Sequence, residues 1–262
     1  MRRNKLRELL AAGKPTIGTH LLSTWPSTIE AVGHTGVFDY VEFMSTYAPY
    51  DLYDLDNMCR AAELHDLSSM IKVDQEPRRF IAQRAIGAGF QSALFADVRN
   101  VNDAVECVKA VRPETPEAKG LHGVGLRRAA YMLEAGRPAY VKALNDIVIA
   151  LMIEKGSAVG QLEEILSVPG IDMTQFGGGD YCMSVGCPGE WNRPEQKAVE
   201  RKVIETSLRM KVAPRAEIST VDEAKYYLDL GVRHFNIGED LFILFEWLKK
   251  NGEELRKIVS QA

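Results

Sequence analysis

Two carboxylates and a run of glycines pose the chemical question in this chain. Glu154 closes the apolar run Ile147–Ile153, and Asp180 follows Gly177-Gly178-Gly179 behind the run Ile171–Phe176. If those runs are neighbouring strands, about 4.8 Å apart, the two acids end side by side. Carboxylates so close either share a proton or hold a cation. A hard divalent ion such as Mg²⁺ takes such oxygens and leaves coordination positions for a substrate. The competing reading has Glu154 opening a helix, paired with Lys155 or with the helix dipole. Three glycines before an acid also let backbone N–H groups approach a ligand, since concave amide clusters bind carboxylate or phosphate. A flexible turn is the plain alternative.

Other polar side chains end β-rich runs in the same way. Lys72 ends Ser68–Val73, an otherwise apolar stretch. Three roles fit it: a Schiff-base nucleophile, an electrostatic stabiliser of an enolate, or an ion-pair partner for inward-facing Glu42 on the adjacent run, which is no evidence of catalysis. His20 ends Thr16–Leu21, Met44-Ser45-Thr46-Tyr47 end Asp39–Met44, Asp97 and Arg99 follow Phe90–Phe95, and Glu217 follows Met210–Ala216.

These positions matter because of the elements that carry them. The β-rich runs, completed by His234–Gly238, alternate with helical patterns over Pro26–Thr35, Tyr53–His65, Pro77–Gly87, Asn102–Val111, Ser157–Leu166, Pro194–Arg209 and Val221–Leu228. Ser27, Asn102 and Thr220 are candidate N-caps, and Gly36, Gly89 and Gly231 close helices before the next strand. Strand followed by helix throughout, with no domain break, predicts one α/β domain over residues 1–262: a (β/α)8 TIM barrel with a short N-terminal helix, Asn4–Ala12. A doubly wound open sheet is the alternative, weakened by the lack of a GxGxxG or P-loop after any strand. Barrel active sites form at the C-terminal strand ends, where the polar residues above fall. The one long connection, Arg112–Asn145 between the fourth and fifth strands, is expected at the catalytic mouth.

Composition narrows the partners. The chain has 262 residues with 32 basic and 36 acidic side chains, a net charge of −4, so it carries no basic footprint for nucleic acid or anionic membrane. Its four cysteines form no CxxC pair, which predicts reduced thiols and a cytoplasmic setting. The N-terminal apolar stretch is broken by Arg7, Glu8 and Lys14, unlike a signal peptide. The longest apolar run, Ile147–Ile153, falls far short of the roughly 20 residues that span a bilayer.

The order of these motifs resembles the metal-dependent class II pyruvate aldolases of the HpcH/HpaI type, in the phosphoenolpyruvate/pyruvate barrel superfamily. The likeness runs along nearly the whole chain. Met152-Ile153-Glu154 stands for the family's Gln-Ile-Glu, and Gly177-Gly178-Gly179-Asp180-Tyr181-Cys182-Met183-Ser184 covers its Gly-Pro-x-Asp-Leu-Ser turn, followed by Gly186 and a helix opening at Pro194. Tyr47-Ala48-Pro49 falls on its His-Ala-Pro and Gly123-Val124-Gly125 on its Gly-Val-Gly. The resemblance implies that Glu154 and Asp180 ligate Mg²⁺, Mn²⁺ or Co²⁺. It implies that a 2-oxo acid such as pyruvate chelates that ion and rests its carboxylate on the amides around Gly178, Gly179 and Asp180. The reaction it implies is cleavage of a 4-hydroxy-2-oxo acid to pyruvate and an aldehyde through a metal-stabilised enolate. It also implies a homo-hexamer that exchanges C-terminal helices, which Leu241, Phe242, Leu244, Phe245 and Trp247 would suit; packing in the core is the other use for them.

The departures point elsewhere for the base. Tyr47 stands at the family's catalytic histidine, Met44 at its aspartate, Lys72 at its arginine and Met152 at its glutamine. Tyrosine ionises near pH 10 when free, so Tyr47 would need a nearby cation to act as a base. His20 or Tyr47 is expected to move the proton, with Lys72 stabilising the enolate; His20 lining the acceptor pocket is the alternative. Arg127 and Arg128 are candidates for an anionic tail on the second substrate, against a solvated helix face; His122 is a lesser candidate base. Decarboxylation or hydrolytic C–C cleavage of a dicarbonyl acid, or a barrel that only binds a 2-oxo acid, stays open beside aldol cleavage. Cys182 and Cys187 flank the glycine turn, but soft thiolates suit an oxygen-rich site poorly.

Overall fold

The structure is a computed structural model that describes residues 2–125 and 133–261. Eight parallel strands close into a barrel in sequence order: β1 (Thr16–Leu21), β2 (Tyr40–Phe43), β3 (Ser68–Val73), β4 (Ser92–Phe95), β5 (Val148–Ile153), β6 (Met173–Phe176), β7 (Ala213–Ile218) and β8 (His234–Glu239). The helices between them are α1 (Lys5–Ala11), α2 (Pro26–His34), α3 (Leu52–Leu64), α4 (Arg78–Ala88), α5 (Val101–Val111), α6 (Pro138–Asn145), α7 (Gly156–Gly160), α8 (Leu162–Leu166), α9 (Gly178–Ser184), α10 (Pro194–Arg209), α11 (Glu223–Asp229) and α12 (Asp240–Val259). The expected barrel and its N-terminal helix are therefore present, and the open sheet is not.

Period-two alternation sorts each strand into two faces. One set packs outward under the helices, as Val41, Phe43, Ile71, Val73, Ala93, Phe95, Ile149, Leu151 and Ile153 do. The other points into the barrel: Tyr40, Met70, Leu94, Val148, Ala150, Met152 and Met173, with Leu6 of α1 closing the strand-start end. The plug is fixed by hydrogen bonds, the Leu6 amide donating to Ser68 Oγ at 3.0 Å and Asn4 Nδ2 to the Gln91 carbonyl at 2.7 Å. Asn4 is also the N-cap of α1, accepting from the Arg7 amide.

Several boundaries shift for local reasons. α2 starts at Pro26, with Trp25 rather than Ser27 as its cap, because proline's fixed φ suits the first helical position. Asn100, not Asn102, caps α5 through the Asp103 amide. Asp222 holds the cap position of α11, while Thr220 Oγ1 donates to Glu223 Oε1 at 3.0 Å. Gly36, Gly89 and Gly231 have φ of 70°, 125° and 94°, the left-handed values that end a helix before a strand.

The long connection departs from its expected place. A chain that has just completed a barrel helix is at the end where strands begin. There Arg112 donates to the carbonyls of Leu144, Asn145 and Ile147 and, through Nη2, to that of Gly170. His122 bridges Pro113, and the Leu121 amide reaches the Lys109 carbonyl at 2.7 Å. The described parts of residues 112–145 thus lie toward the strand starts and along α5, not over the strand ends. Arg127 and Arg128 lie outside the described residues. Among the described residues no helix is long and apolar enough to cross a membrane.

Candidate active site

The strand ends bring two groups of polar side chains to the mouth. The first is carried by β3, β5 and the turn after β6. Glu154 follows β5, is 2 % exposed, and accepts from the Asp97 amide through Oε1 at 2.7 Å. Asp97 holds that geometry with a left-handed φ of 56°. Burial drives the Glu154 carboxyl above the usual range, against the opposing pull of the Asp97 amide and of Lys72. Gly177 must be glycine because Glu154 passes over it: a Cβ there would stand 2.7 Å from Glu154 Oε2 and 2.8 Å from Glu154 Cβ. The expected glycine turn is then the start of α9, with Gly178, Gly179 and Asp180 as its first three residues.

Lys155, the partner that the competing reading gave to Glu154, joins this group as a counter-ion. Its Nζ instead lies 2.6 Å from Asp97 Oδ1 and 3.2 Å from Asp180 Oδ1. Glu154 Oε2 and Asp180 Oδ2 carry no hydrogen bond among the described residues. Each acid thus keeps one oxygen for a cation, and the hard donors suit Mg²⁺, Mn²⁺ or Co²⁺. The described residues hold no cluster of three or more metal-binding side chains. An ion here would complete its shell with substrate and water oxygens, as Mg²⁺ commonly does.

Lys72 does not pair directly with Glu42. Its Nζ donates to Tyr47 Oη at 2.9 Å, so the cation required beside Tyr47 is present. Burial would lower the Lys72 pKa, but the Tyr47 oxygen, Glu154 and Glu42 outweigh it and the net shift is upward. A lysine held protonated is an electrostatic group and a poor amine nucleophile.

The second group fills the interior under β1, β2, β7 and β8, and most of it escaped sequence reading. Arg215, fully buried, forms an ion pair with buried Glu42 and donates through Nε to Gln175 Oε1 at 2.7 Å and through Nη1 to Tyr40 Oη at 3.3 Å. Asn236 Nδ2 donates to Glu42 Oε2 at 3.0 Å, and Gln175 Nε2 to Glu217 Oε2 at 3.0 Å. His20, 2 % exposed, stands between the acids, with Nε2 3.7 Å from Glu42 Oε2 and Nδ1 3.7 Å from Glu217 Oε1. The signal was present: β7 runs to Ile218, so Arg215 and Glu217 share one face. A strand search that expects apolar inward positions ends at Ala216 and misses it.

Two cavities, of about 730 and 500 Å³, open beside this group. They share Glu217 and Ser219; His20 lines the first, and Gly178 and Gly179 line the second. The remaining histidines lie away from the mouth. His34 and His65 stack edge to face with centroids 4.6 Å apart, His234 Nδ1 lies 3.0 Å from Thr16 Oγ1, and His122 packs on Tyr140 near the strand starts.

The site is thus a set of carboxylates, a lysine held protonated and a buried histidine at the strand ends of a closed (β/α)8 barrel, the end at which barrel enzymes carry their active sites. The model of the HpcH/HpaI aldolase/citrate lyase family matches residues 17–246, and the chain belongs to that family, whose named relatives are carbon–carbon lyases. It is 28% identical over 243 residues to a 4-hydroxy-2-oxo-heptane-1,7-dioate aldolase of Escherichia coli, covering 92% of this chain and 90% of that one. It is 30% identical over 247 residues to a pyruvate aldolase of Rhizobium etli, covering 92% and 93%. Among solved structures, an HpcH/HpaI aldolase/citrate lyase family protein from Burkholderia cenocepacia superposes with a TM-score of 0.87 at 25% identity, over 97% of this chain and 100% of that chain.

Proposed function

We propose that this enzyme cleaves a 4-hydroxy-2-oxo acid to pyruvate, or a related 2-oxo acid, and an aldehyde. The observation that carries the reading is the convergence of Glu154, Asp180 and protonated Lys72 on one mouth, in a chain whose family match spans that mouth. Glu154 and Asp180 hold a divalent ion, Mg²⁺, Mn²⁺ or Co²⁺, which when bound supplies Lewis-acid stabilisation of charge on the 2-oxo group. The amides of Gly178, Gly179 and Asp180 receive the substrate carboxylate. Lys72 lies in the same mouth and stabilises the enolate oxygen, while Tyr47, held by Lys72, offers its hydroxyl to the same charge. His20 is the base. It takes the proton from the C4 hydroxyl as the C3–C4 bond breaks; the electron pair becomes the pyruvate enolate, and His20 returns its proton to C3 to complete the product.

The substrates are small molecules, and the same chain works as a homo-oligomer, a hexamer in our reading, in the cytoplasm. None of the twenty residues of α12 is buried and all but Asp240 are exposed, Phe245 and Trp247 at 55% and 63%, and Ile17 on the outer face of β1 is 42% exposed. A helix exchanged from a second copy would cover both surfaces. Sedimentation of Phe245→Asp against the wild type checks this: the variant is expected to sediment as a smaller species.

Proton NMR of pyruvate in D₂O tests the chemistry. Loss of the methyl signal that depends on Mg²⁺ or Co²⁺, and that vanishes in Glu154→Ala and Asp180→Ala, is the expected result. Mn²⁺ binding without any exchange, and without aldehyde release from 4-hydroxy-2-oxo acids, would remove the aldolase reading.

A further inference from the structure

His20 and Glu42 are direct register partners on β1 and β2, both pointing into the barrel. Each carries a buried atom with no hydrogen-bond partner: Nε2, which can donate, and Oε1, which can only accept when ionised. An unpartnered donor is costly in a dry interior, and a small rotation of the imidazole, whose Nε2 already stands 3.7 Å from Glu42 Oε2, brings it onto the carboxylate. The other Glu42 oxygen is already fixed by Arg215 and Asn236. Arg215 is in turn held by Gln175 and Tyr40, so the carboxylate cannot swing away.

We propose that Glu42 is a positioning residue for His20: it accepts the Nε2 proton, fixes the imidazole in that tautomer, and leaves the Nδ1 lone pair facing the mouth as the base. This rests on the assignment of His20 above and goes beyond it by naming what orients the ring. A carboxylate that holds one ring nitrogen while the other handles the substrate proton is the division of labour of a histidine–acid dyad. Here the acid comes from the neighbouring strand, while the loop after β2 carries Met44 and Tyr47.

The electrostatics suit the role. Burial would raise the Glu42 carboxyl, but Arg215 and His20 overcome that and hold it below the usual range, so it stays a charged acceptor. When Nδ1 takes a proton, the imidazolium lies between Glu42 and Glu217, 3.7 Å from each, and both stabilise it. Arg215 serves Glu42 and does not touch the ring, which makes it part of the support and not of the chemistry.

The test begins with a measurement that needs neither turnover nor a variant of Glu42. Histidine labelled with ¹⁵N in the ring, with the His20 signals identified by their loss in His20→Ala, reports the tautomer at about pH 8, above the ordinary imidazole range of about 6.5. Nε2–H with an unprotonated Nδ1 is expected. Nδ1–H overturns the proposal, whatever the enzyme catalyses.

The second arm replaces the ion pair by apolar residues, Glu42→Leu with Arg215→Met, since removing both charges spares a lone buried one. With Mg²⁺, pyruvate methyl exchange should fall roughly tenfold to a hundredfold, with Mn²⁺ affinity unchanged. Adding the same pair to His20→Ala should cause no further loss. Undiminished exchange in the Glu42→Leu/Arg215→Met protein would overturn the proposal while leaving His20 as the base. Undiminished exchange in His20→Ala would instead remove His20, and the aldolase reading would stand on Tyr47.

Discussion

From β3 to β6 the inward row of the barrel is mostly apolar, Met70, Leu94, Val148, Ala150, Met152 and Met173 with Lys72 and Gln175 toward the mouth, whereas across β7, β8, β1 and β2 it carries Arg215, Asn236, His20, Glu42 and Tyr40. The two halves share one barrel but stand on different physics. The apolar half is held by burial, which is forgiving in direction and needs only volume. The polar half is held by specific hydrogen bonds around one buried ion pair, and its gain against desolvation depends on every partner staying in place. At the mouth the apolar half carries the proposed cation site, where Glu154 needs a dry support that keeps it buried. The polar half carries the proposed base, where an imidazole needs acids that orient it.

Arg215→Met alone should break the comparison hardest. It leaves Glu42 charged, buried and unpaired, which costs about 3–5 kcal/mol, or a drop in Tm of roughly 10 °C for a chain this long. Calorimetry checks it. The paired change Glu42→Leu/Arg215→Met should recover most of that loss, because an apolar replacement of a whole buried pair is often neutral. In the apolar half, Leu94→Ala should cost about 2–5 kcal/mol through lost contacts and a residual cavity, with no compensating partner to remove. If Leu94→Ala proved harmless while the paired change unfolded the chain, the division into halves would be wrong.

The same division explains what the sequence made legible. β1 and β3 fall on Thr16–Leu21 and Ser68–Val73 as expected, because alternating apolar faces are a direct readout of burial on both sides. The mouth positions of Glu154, Asp180 and Lys72 follow from strand ends alone. The polar half does not announce itself. Pro214-Arg215-Ala216-Glu217 reads as the exit from a strand, since an arginine at an inward position makes sense only once Glu42, far away in sequence, is known to face it. Gln175 and Asn236 are ordinary strand residues until Arg215 and Glu42 give them partners. Pairing across the barrel is non-local information that a local pattern does not contain.

Buried neutral histidines give a smaller effect, with a sign that can be worked out. Burial, and for His234 also the charge of Arg215, lowers His234 and His122 to about 4. The unfolded chain protonates its histidines at about 6.5, so between about 6.5 and 4 the unfolded state binds more protons. Stability is therefore full above about 6.5 and is lost as pH falls through that window, by up to about 3 kcal/mol for each histidine. Urea unfolding followed from pH 7 to pH 4 should show this slope, and His234→Gln, which keeps a hydrogen-bonding group beside Thr16, should flatten it. A slope unchanged by His234→Gln would place the acid sensitivity on His122 instead, since the Glu42 carboxyl, held below the usual range, loses its contribution only at still lower pH.

The smallest effect is expected at the mouth of the apolar half. Lys155 spans Asp97 and Asp180 and places a positive charge where the proposed divalent ion would approach. It also keeps Asp180 from drifting, so its removal has two opposed consequences. Where water screens it, repulsion between the ammonium and a nearby dication is worth on the order of 1–2 kcal/mol, while the ion pair to half-exposed Asp180 is worth about 0.2–1 kcal/mol. Repulsion is the larger of the two, so Lys155→Met should tighten Mn²⁺ binding by about tenfold in isothermal titration. Weaker binding in that variant would mean that Lys155 serves the site chiefly by holding Asp180 in place. The apolar half would then depend on a positioning contact as the polar half does.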